Sequence, residues 1–281
     1  MKKKFLAIPY VIWMAIFVIV PLLLVVGYAF TTRDGGFSLE NFKTMTQYWP
    51  VFLTSFRLAL IATLICLLIG YPVAYWISRE SPNVRRIAMV LIMLPMWMNF
   101  LLRTYAWMSL LENTGIINTF LQNIGFFNLI NGIFGTEIEY FHMINTPGAV
   151  VLGMVYNYLP FMIMPITTVI EKIDPSVVEA AEDLGASGVQ TFGRVIFPLS
   201  LPGVLSGITM VFIPSVSTFA ISSLLGGGMT LLLGDLIQTQ FYGSAYNPYL
   251  GSAISLVMMV IVLVMMAIMN HFGEGEETAI Y

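Results

Sequence analysis

The sequence predicts an all-α integral membrane protein with six transmembrane helices, and three observations predict it. The 281 residues are 58% hydrophobic and only 10% charged, with a mean hydropathy of +0.86, whereas a soluble domain carries about 25% charged residues. Six stretches (6–30, 53–78, 87–111, 148–170, 200–222 and 249–270) supply the length that a helix needs to cross a bilayer, about 20 largely apolar residues. The Lys and Arg residues alternate from connection to connection, as the positive-inside rule requires.

The chain opens on Lys2, Lys3 and Lys4 before its first apolar run. No small-x-small cleavage site follows, and the run continues to Phe30, too long for a signal-peptide core. It reads as an uncleaved first span. All six runs are expected to be helices, because backbone in lipid must satisfy its own hydrogen bonds. Pro21, Pro72, Pro95, Pro160, Pro165 and Pro214 lie within or beside them and predict kinks.

Arg79, Arg85 and Arg86 separate the second and third runs, and Lys172 and Arg194 the fourth and fifth. With the three N-terminal lysines, eight basic residues lie on one side, against Arg33, Lys43, Arg57 and Arg103 towards the other. Both termini are therefore expected in the cytoplasm of a multi-pass membrane protein, the whole chain 1–281 forming one transmembrane domain in contact with lipid. Residues 112–147 become an external loop. Within it, 113–136 lacks charge but contains Asn113, Asn118, Asn123, Asn128 and Asn131. Burying these amides in lipid would be costly, so the segment reads as an external amphipathic piece and not a span.

Chemistry-bearing clusters are few. Cys66 is the single cysteine, in an apolar run, and reads as a small buried hydrophobe. His142 and His271 are far apart with no cysteine beside them, so no metal site is expected. No G-x-x-x-x-G-K-[ST] loop is present; Gly226-Gly227-Gly228 is followed by Met229 and Thr230. Catalytic residues and bound cofactors are not expected in this chain, and nucleic acid is not an expected partner.

The exception to the apolar pattern is the polar segment 174–198. Asp174-Pro175 has the form of an N-cap followed by proline at the first helical position. Gly185 suits the left-handed residue that ends a helix, and Ser187 with Gln190 has capping-box spacing. Two short helices with a glycine turn are expected, on the cytoplasmic side.

The order Glu179-Ala180-Ala181, three residues, Gly185, nine residues, Val195, one residue, Phe197-Pro198 closely resembles the EAA motif of permease subunits in binding-protein-dependent ABC importers, EAA-x3-G-x9-I-x-L-P. Val195 stands for Ile and Phe197 for Leu. The resemblance implies the type I ABC importer permease fold in the bacterial inner membrane, with this element as the coupling helix that docks on a separate ATPase. Glu179, Ala180, Ala181, Gly185, Val195, Phe197 and Pro198 would be its coupling residues. Implied partners are a second permease subunit, two ATPase subunits that hold ATP and Mg, and an extracytoplasmic solute-binding protein. Stretches 67–78, 94–118, 159–174 and 224–241 resemble the spermidine/putrescine branch, whose companion permease is of the PotC type.

For a polyamine, acidic and aromatic side chains supply charge pairing and cation–π contact. Asp235, Glu112, Trp97, Tyr105, Tyr156 and Tyr158 are the candidates for the substrate path, beside further external acidic residues at Asp34, Glu40, Glu137 and Glu139. Aromatic residues at a membrane interface also serve as lipid anchors, and Asp235 has a structural alternative as partner of Arg103. Rival readings are an ABC permease for another organic cation, thiamine or iron, and an ion-driven secondary carrier. The carrier would call for ionisable residues in mid-span and often an internal repeat. Only Arg57 and Arg103 approach mid-span, and no repeat is evident. A membrane scaffold or sensor subunit would leave the 179–198 pattern without a purpose.

The topology makes a direct prediction. A cysteine at Ser187 should react with a membrane-impermeant maleimide only from the cytoplasmic side, in inside-out vesicles; labelling of intact cells would refute the six-span arrangement.

Overall fold

The computed structural model describes residues 8–33, 35–243 and 245–277, with the side chains of 8 and 270–277 not included. Lys2, Lys3, Lys4, Asp34 and the side chains of His271, Glu274, Glu276 and Glu277 therefore lie outside the described residues. Among those described, regular structure is helical, with one isolated bridge between Thr31 and Phe37. The helices are α1 Pro9–Ala29, α2 Glu40–Arg79, α3 Pro82–Met93, α4 Phe100–Leu111, α5 Ile116–Asn123, α6 Phe126–Phe134, α7 Pro147–Ile170, α8 Pro175–Asp183, α9 Gly188–Ser217, α10 Ala220–Leu225, α11 Leu233–Tyr242 and α12 Pro248–Glu277. Five of them (α1, α2, α7, α9 and α12) are long and apolar enough to cross a membrane, or six spans if one bent pair counts as a span.

That bent pair corrects the third span expected over 87–111. It is two helical pieces, Pro82–Trp97 and Phe100–Asn123, set at 88°. Pro95 cannot donate a backbone hydrogen bond, and the chain tightens into a 3-10 turn over Leu94–Trp97 before Met98 becomes extended. Asn99 then starts a new helix, its Oδ1 accepting from Leu101 N–H at 2.8 Å and Leu102 N–H at 3.4 Å. The fifth span is also redrawn. It begins at Gly188, not 200, so the second short helix expected in 174–198 is the first part of a continuous 30-residue α9 that ends at Ser217.

Two π turns, Ala15–Ile19 and Phe192–Ile196, each stand one residue before a proline, Pro21 and Pro198. A proline ring clashes with the carbonyl four residues earlier, and the wider i→i−5 turn relieves that contact without ending the helix.

Helix α7 is central. Half of its apolar window is buried, more than in any other spanning candidate. It runs parallel to α2, Leu58 and Ala62 lying with Val150, Val151 and Met154 in one apolar cluster, and Cys66 to Ile77 with Met162 to Ile170 in a second. Helix α9 crosses α7 antiparallel with backbone close to backbone. A Cβ at Gly203 would stand 2.8 Å from the Pro165 carbonyl oxygen, and one at Gly207 would stand 2.7 Å from Met162 Sδ. The spacing of these two glycines is the small-xxx-small pattern of close membrane-helix contact. A third cluster, with Phe52, Phe212, Leu236 and Ile254, binds α2, α9, α11 and α12. Helix α1 leans on α12 through Tyr28 and Tyr249, whose rings meet edge to face at 5.5 Å.

Segment 113–136 folds as two short amphipathic helices, α5 and α6, too short to span. Its amides are structural. Asn118 Nδ2 donates to the carbonyls of Glu112 (3.1 Å) and Phe141 (3.0 Å), while its Oδ1 accepts from Phe141 N–H at 2.9 Å. Asn131 ties down Thr136 and Ile138 in the same way.

The α7–α9 crossing predicts an order of effects. At Gly203 the nearest obstruction is a backbone carbonyl oxygen at 2.8 Å, whereas at Gly207 it is the Sδ of a flexible methionine, the backbone standing back at 3.2 Å. Gly203→Ala should lower stability by about 1–3 kcal/mol and Gly207→Ala by less, measured as thermal unfolding in detergent; the reverse order would refute this account of the crossing.

Candidate functional site

The 174–198 element is built by local signals that agree. Asp174 Oδ1 accepts from the Ser176 N–H at 2.9 Å, and that hydrogen bond holds the exposed carboxyl below the usual carboxylate range. Pro175 opens α8, where its missing N–H costs nothing. The helix ends in a Schellman arrangement: Gly185 N–H donates to the Glu182 carbonyl at 2.8 Å and Ala186 N–H to the Ala181 carbonyl at 3.1 Å. Gly185 has φ +85°, a conformation that L side chains rarely adopt. Ser187 N–H then donates to Gln190 Oε1 at 2.9 Å and α9 begins.

The two faces of α8 differ. Pro175, Val178, Glu179 and Glu182, one helical stripe, turn to a cavity of about 390 Å³ whose far wall carries Ser78, Arg79, Arg85 and Glu171. Val178 packs on the cluster of Ile77, Ile170 and Ile196. Ala180 is exposed and Ala181 half-buried. The outer side presents Leu184 at 89% exposure and, across the turn, Val189 at 82%, with Val177 at 45%. Large apolar side chains this exposed on an otherwise polar element form a surface suited to a protein partner.

The end of the motif has another task. Phe197 lies against Tyr71, ring centroids 5.6 Å apart. The Tyr71 hydroxyl and Ser200 Oγ are hydrogen-bonded at 2.7 Å, and Ser200 Oγ donates to the Phe197 carbonyl at 2.8 Å. Val195 is half-buried beside buried Ile196, and Pro198 follows the π turn. Tyr71, Phe197 and Ser200 fasten α9 to α2, although Phe197 stays 42% exposed; Leu184 and Val189, which the motif does not mark, are far more exposed. Exposure of an apolar residue is a property of the fold, so only their place around a glycine turn could have hinted at it.

At the opposite end, Asp235 is buried in the first turn of α11. Its Oδ2 accepts from the Leu232 N–H at 3.1 Å, and burial pushes its carboxyl above the usual range. The next backbone N–H, of Leu233, donates to Ser55 Oγ at 2.8 Å. A Cβ at Gly234 would meet the Ser217 carbonyl oxygen at 2.6 Å, so glycine permits this close seat against the end of α9. The expected alternative, an Asp235–Arg103 pair, is not formed. Arg103 is buried at 7% exposure, and its Nε has no hydrogen-bond partner among the described residues.

The other path candidates are not gathered into one cavity. Glu112 is exposed at the end of α4, Trp97 is 76% exposed in the 3-10 turn, and Tyr105 is exposed on α4. Tyr156 stacks edge to face with Trp107 at 5.3 Å. The Tyr158 hydroxyl donates to the Pro214 carbonyl at 3.5 Å, between α7 and α9. Between the two tyrosines lies a polar residue that the sequence reading passed over. Asn157 is buried near the middle of α7; its Nδ2 donates to the Gly153 carbonyl at 2.9 Å, while its Oδ1 has no partner among the described residues. A lone amide inside an apolar run was the available signal.

Comparison with known proteins agrees with this arrangement. The profile of the family described as binding-protein-dependent transport system inner membrane component matches residues 67–275. The spermidine/putrescine transport system permease protein PotB of Escherichia coli is 37% identical over 264 residues, covering 91% of this chain and 92% of that protein. PotB of Haemophilus influenzae is 38% identical over 257 residues, covering 89% and 86%. Among solved structures, a chain of a bacterial ABC transporter that imports the acidic polysaccharide alginate superposes with a TM-score of 0.79 at 17% identity, covering 97% of this chain and 94% of that one. A chain of the MetNI methionine ABC transporter superposes at 0.56 and 16% identity, covering 83% and 97%. This chain belongs to the family of binding-protein-dependent transport system inner membrane components, the permease subunits of ABC importers.

Proposed function

We propose that the chain is a permease subunit of an ATP-driven importer of polyamines, spermidine or putrescine, in the bacterial inner membrane. The observation that carries this reading is the 37% identity to PotB of Escherichia coli along 91% of the chain. In this arrangement the broken third span completes six crossings, both termini are cytoplasmic, and the 174–198 element faces the cytoplasm. With no phosphate-binding loop of its own, the chain takes ATP-driven movement from two separate ATPase subunits that hold ATP and Mg. A second permease, of the PotC type, completes the path, and an extracytoplasmic binding protein delivers the solute to the 112–147 and 218–247 side.

Helix α8 and the Gly185 turn serve as the ATPase contact. The exposed pair Leu184 and Val189 supports this, since a partner that covered them would remove apolar surface from water. Glu179 and Glu182 line the inner cavity and keep α8 polar on that side. Leu184→Glu should strip the ATPase from the purified complex while leaving the two permeases together, read by co-purification; full ATPase retention would refute the contact.

Asp235 provides negative charge at the external end, where a cationic solute would enter. Its cap bond and its charge are separable, because asparagine keeps an acceptor for the Leu232 N–H. Wild-type complex in proteoliposomes should accumulate labelled spermidine, with putrescine competing. Asp235→Asn should lower that uptake by about tenfold to a hundredfold, the loss of one charge-assisted contact of ~1.5–3 kcal/mol, with assembly intact. Unchanged uptake would assign Asp235 to capping alone, and absence of polyamine uptake by the wild type would refute the substrate class.

A further inference from the structure

The cavity beside α8 has a wall that the 174–198 motif does not include. Arg85 lies in the first turn of α3, at the head of the stripe Ala88, Met89 and Ile92 by which that helix rests on the core. Its Nη2 donates to the Ser78 carbonyl at 2.6 Å and the Glu80 carbonyl at 3.2 Å. Carbonyls at the end of a helix such as α2 have no partner within the helix and call for one outside it. Arg85 Nε also lies 3.3 Å from Glu171 Oε1, the one ion pair among the described residues, a charge contact that is not aligned as a hydrogen bond. Glu171 directly follows α7 and stands just ahead of α8. A single side chain thus joins the end of α2, the start of α3 and the connection from α7 to α8.

Helix α3 has little else to hold it. None of its residues is fully buried, and it leads into the 88° break at Met98–Asn99. Its remaining contacts with the core are apolar and non-directional, which allows sliding, whereas an ion pair combined with two carbonyl contacts fixes a position. The side chains of Arg85 and Glu171 are 28% and 31% exposed, so the pair adds little to stability. Its value lies in geometry.

We infer that Arg85 is a positioning residue that couples α8 to α3: through Glu171 and the carbonyls of Ser78 and Glu80, it carries displacement of α8 to the first half of the broken third span. This rests on α8 being the ATPase contact proposed above. Without Arg85, the ATPase would still dock and hydrolyse ATP, but α3 would no longer follow.

The test uses the complete complex of both permeases, the ATPases and the binding protein in proteoliposomes, with ATP hydrolysis and labelled spermidine uptake measured in the same vesicles. Arg85→Met and Glu171→Gln should each lower uptake per ATP by about fivefold or more, the scale of a typical coupling free energy between sites. Arg85→Lys should restore part of it, and the double variant Arg85→Met/Glu171→Gln should be no worse than Arg85→Met. ATPase co-purification should stay at the wild-type level throughout. Unchanged uptake per ATP in the single variants, or losses that multiply in the double variant, would overturn the inference. If Arg85→Met does not assemble, Glu171→Gln decides alone, since it preserves shape and leaves the carbonyl contacts of Arg85 in place. The docking reading fails by a different sign, ATPase retained by Leu184→Glu.

Discussion

The close crossing of α9 over α7 is the contact on which the remaining architecture depends. In lipid there is no hydrophobic drive between apolar helices, so association relies on close packing and on small residues that let backbones approach. Gly203 and Gly207 bring α9 against the backbone of α7 around Pro165 and Met162, and α2 packs against both, with Gly70 on Met162 and Ile163 of α7 and Tyr71 on Ser200 of α9. Once these three helices are set, the ends follow. Tyr71, Ser200 and Phe197 lock one end, and Ser55, Leu233 and Gly234 seat α11 at the other.

Polar chemistry is concentrated at those two ends and is mostly spent on holding backbone. Asp174, Asn99, Asn118, Asn131 and Asp235 all satisfy N–H or carbonyl groups that helix ends and loops leave open. Side chains that resemble a binding site in the sequence are therefore often caps, as Asp235 is. Among the described residues, the buried polar atoms without partners include Asn157 Oδ1 and Arg103 Nε, within or beside the spans, where the sequence shows only one more polar letter.

What the sequence made legible was whatever depends on near neighbours in the chain. The caps at Asp174 and Ser187, the left-handed Gly185 and the short amphipathic pair in 113–136 are set by residues within a few positions of each other. The break at Met98–Asn99 was hidden, because hydropathy sums apolar character across a window and is blind to a change of direction inside it. Pro95 marked the place, yet the turn also required Asn99 to start a second helix. The union of the second short helix with α9 was hidden for the opposite reason: Pro198 suggests an end, and the π turn before it lets the helix continue. Arg85 and Glu171 lie far apart in sequence, so only the packing of α2, α3 and α7 brings them together.

The continuity of α9 has a consequence for movement. Thirty residues at 1.5 Å each make a rod of about 45 Å, and the Gly203 contact with α7 falls at its midpoint. A rod held at its centre behaves as a seesaw with equal arms. Tilting it about Gly203 shifts Gly188, beside the Gly185 turn, one way and Ser217, against which Gly234 is seated, the other way by the same distance. One rigid rotation would thus widen the bundle at one membrane face as it narrows the bundle at the other.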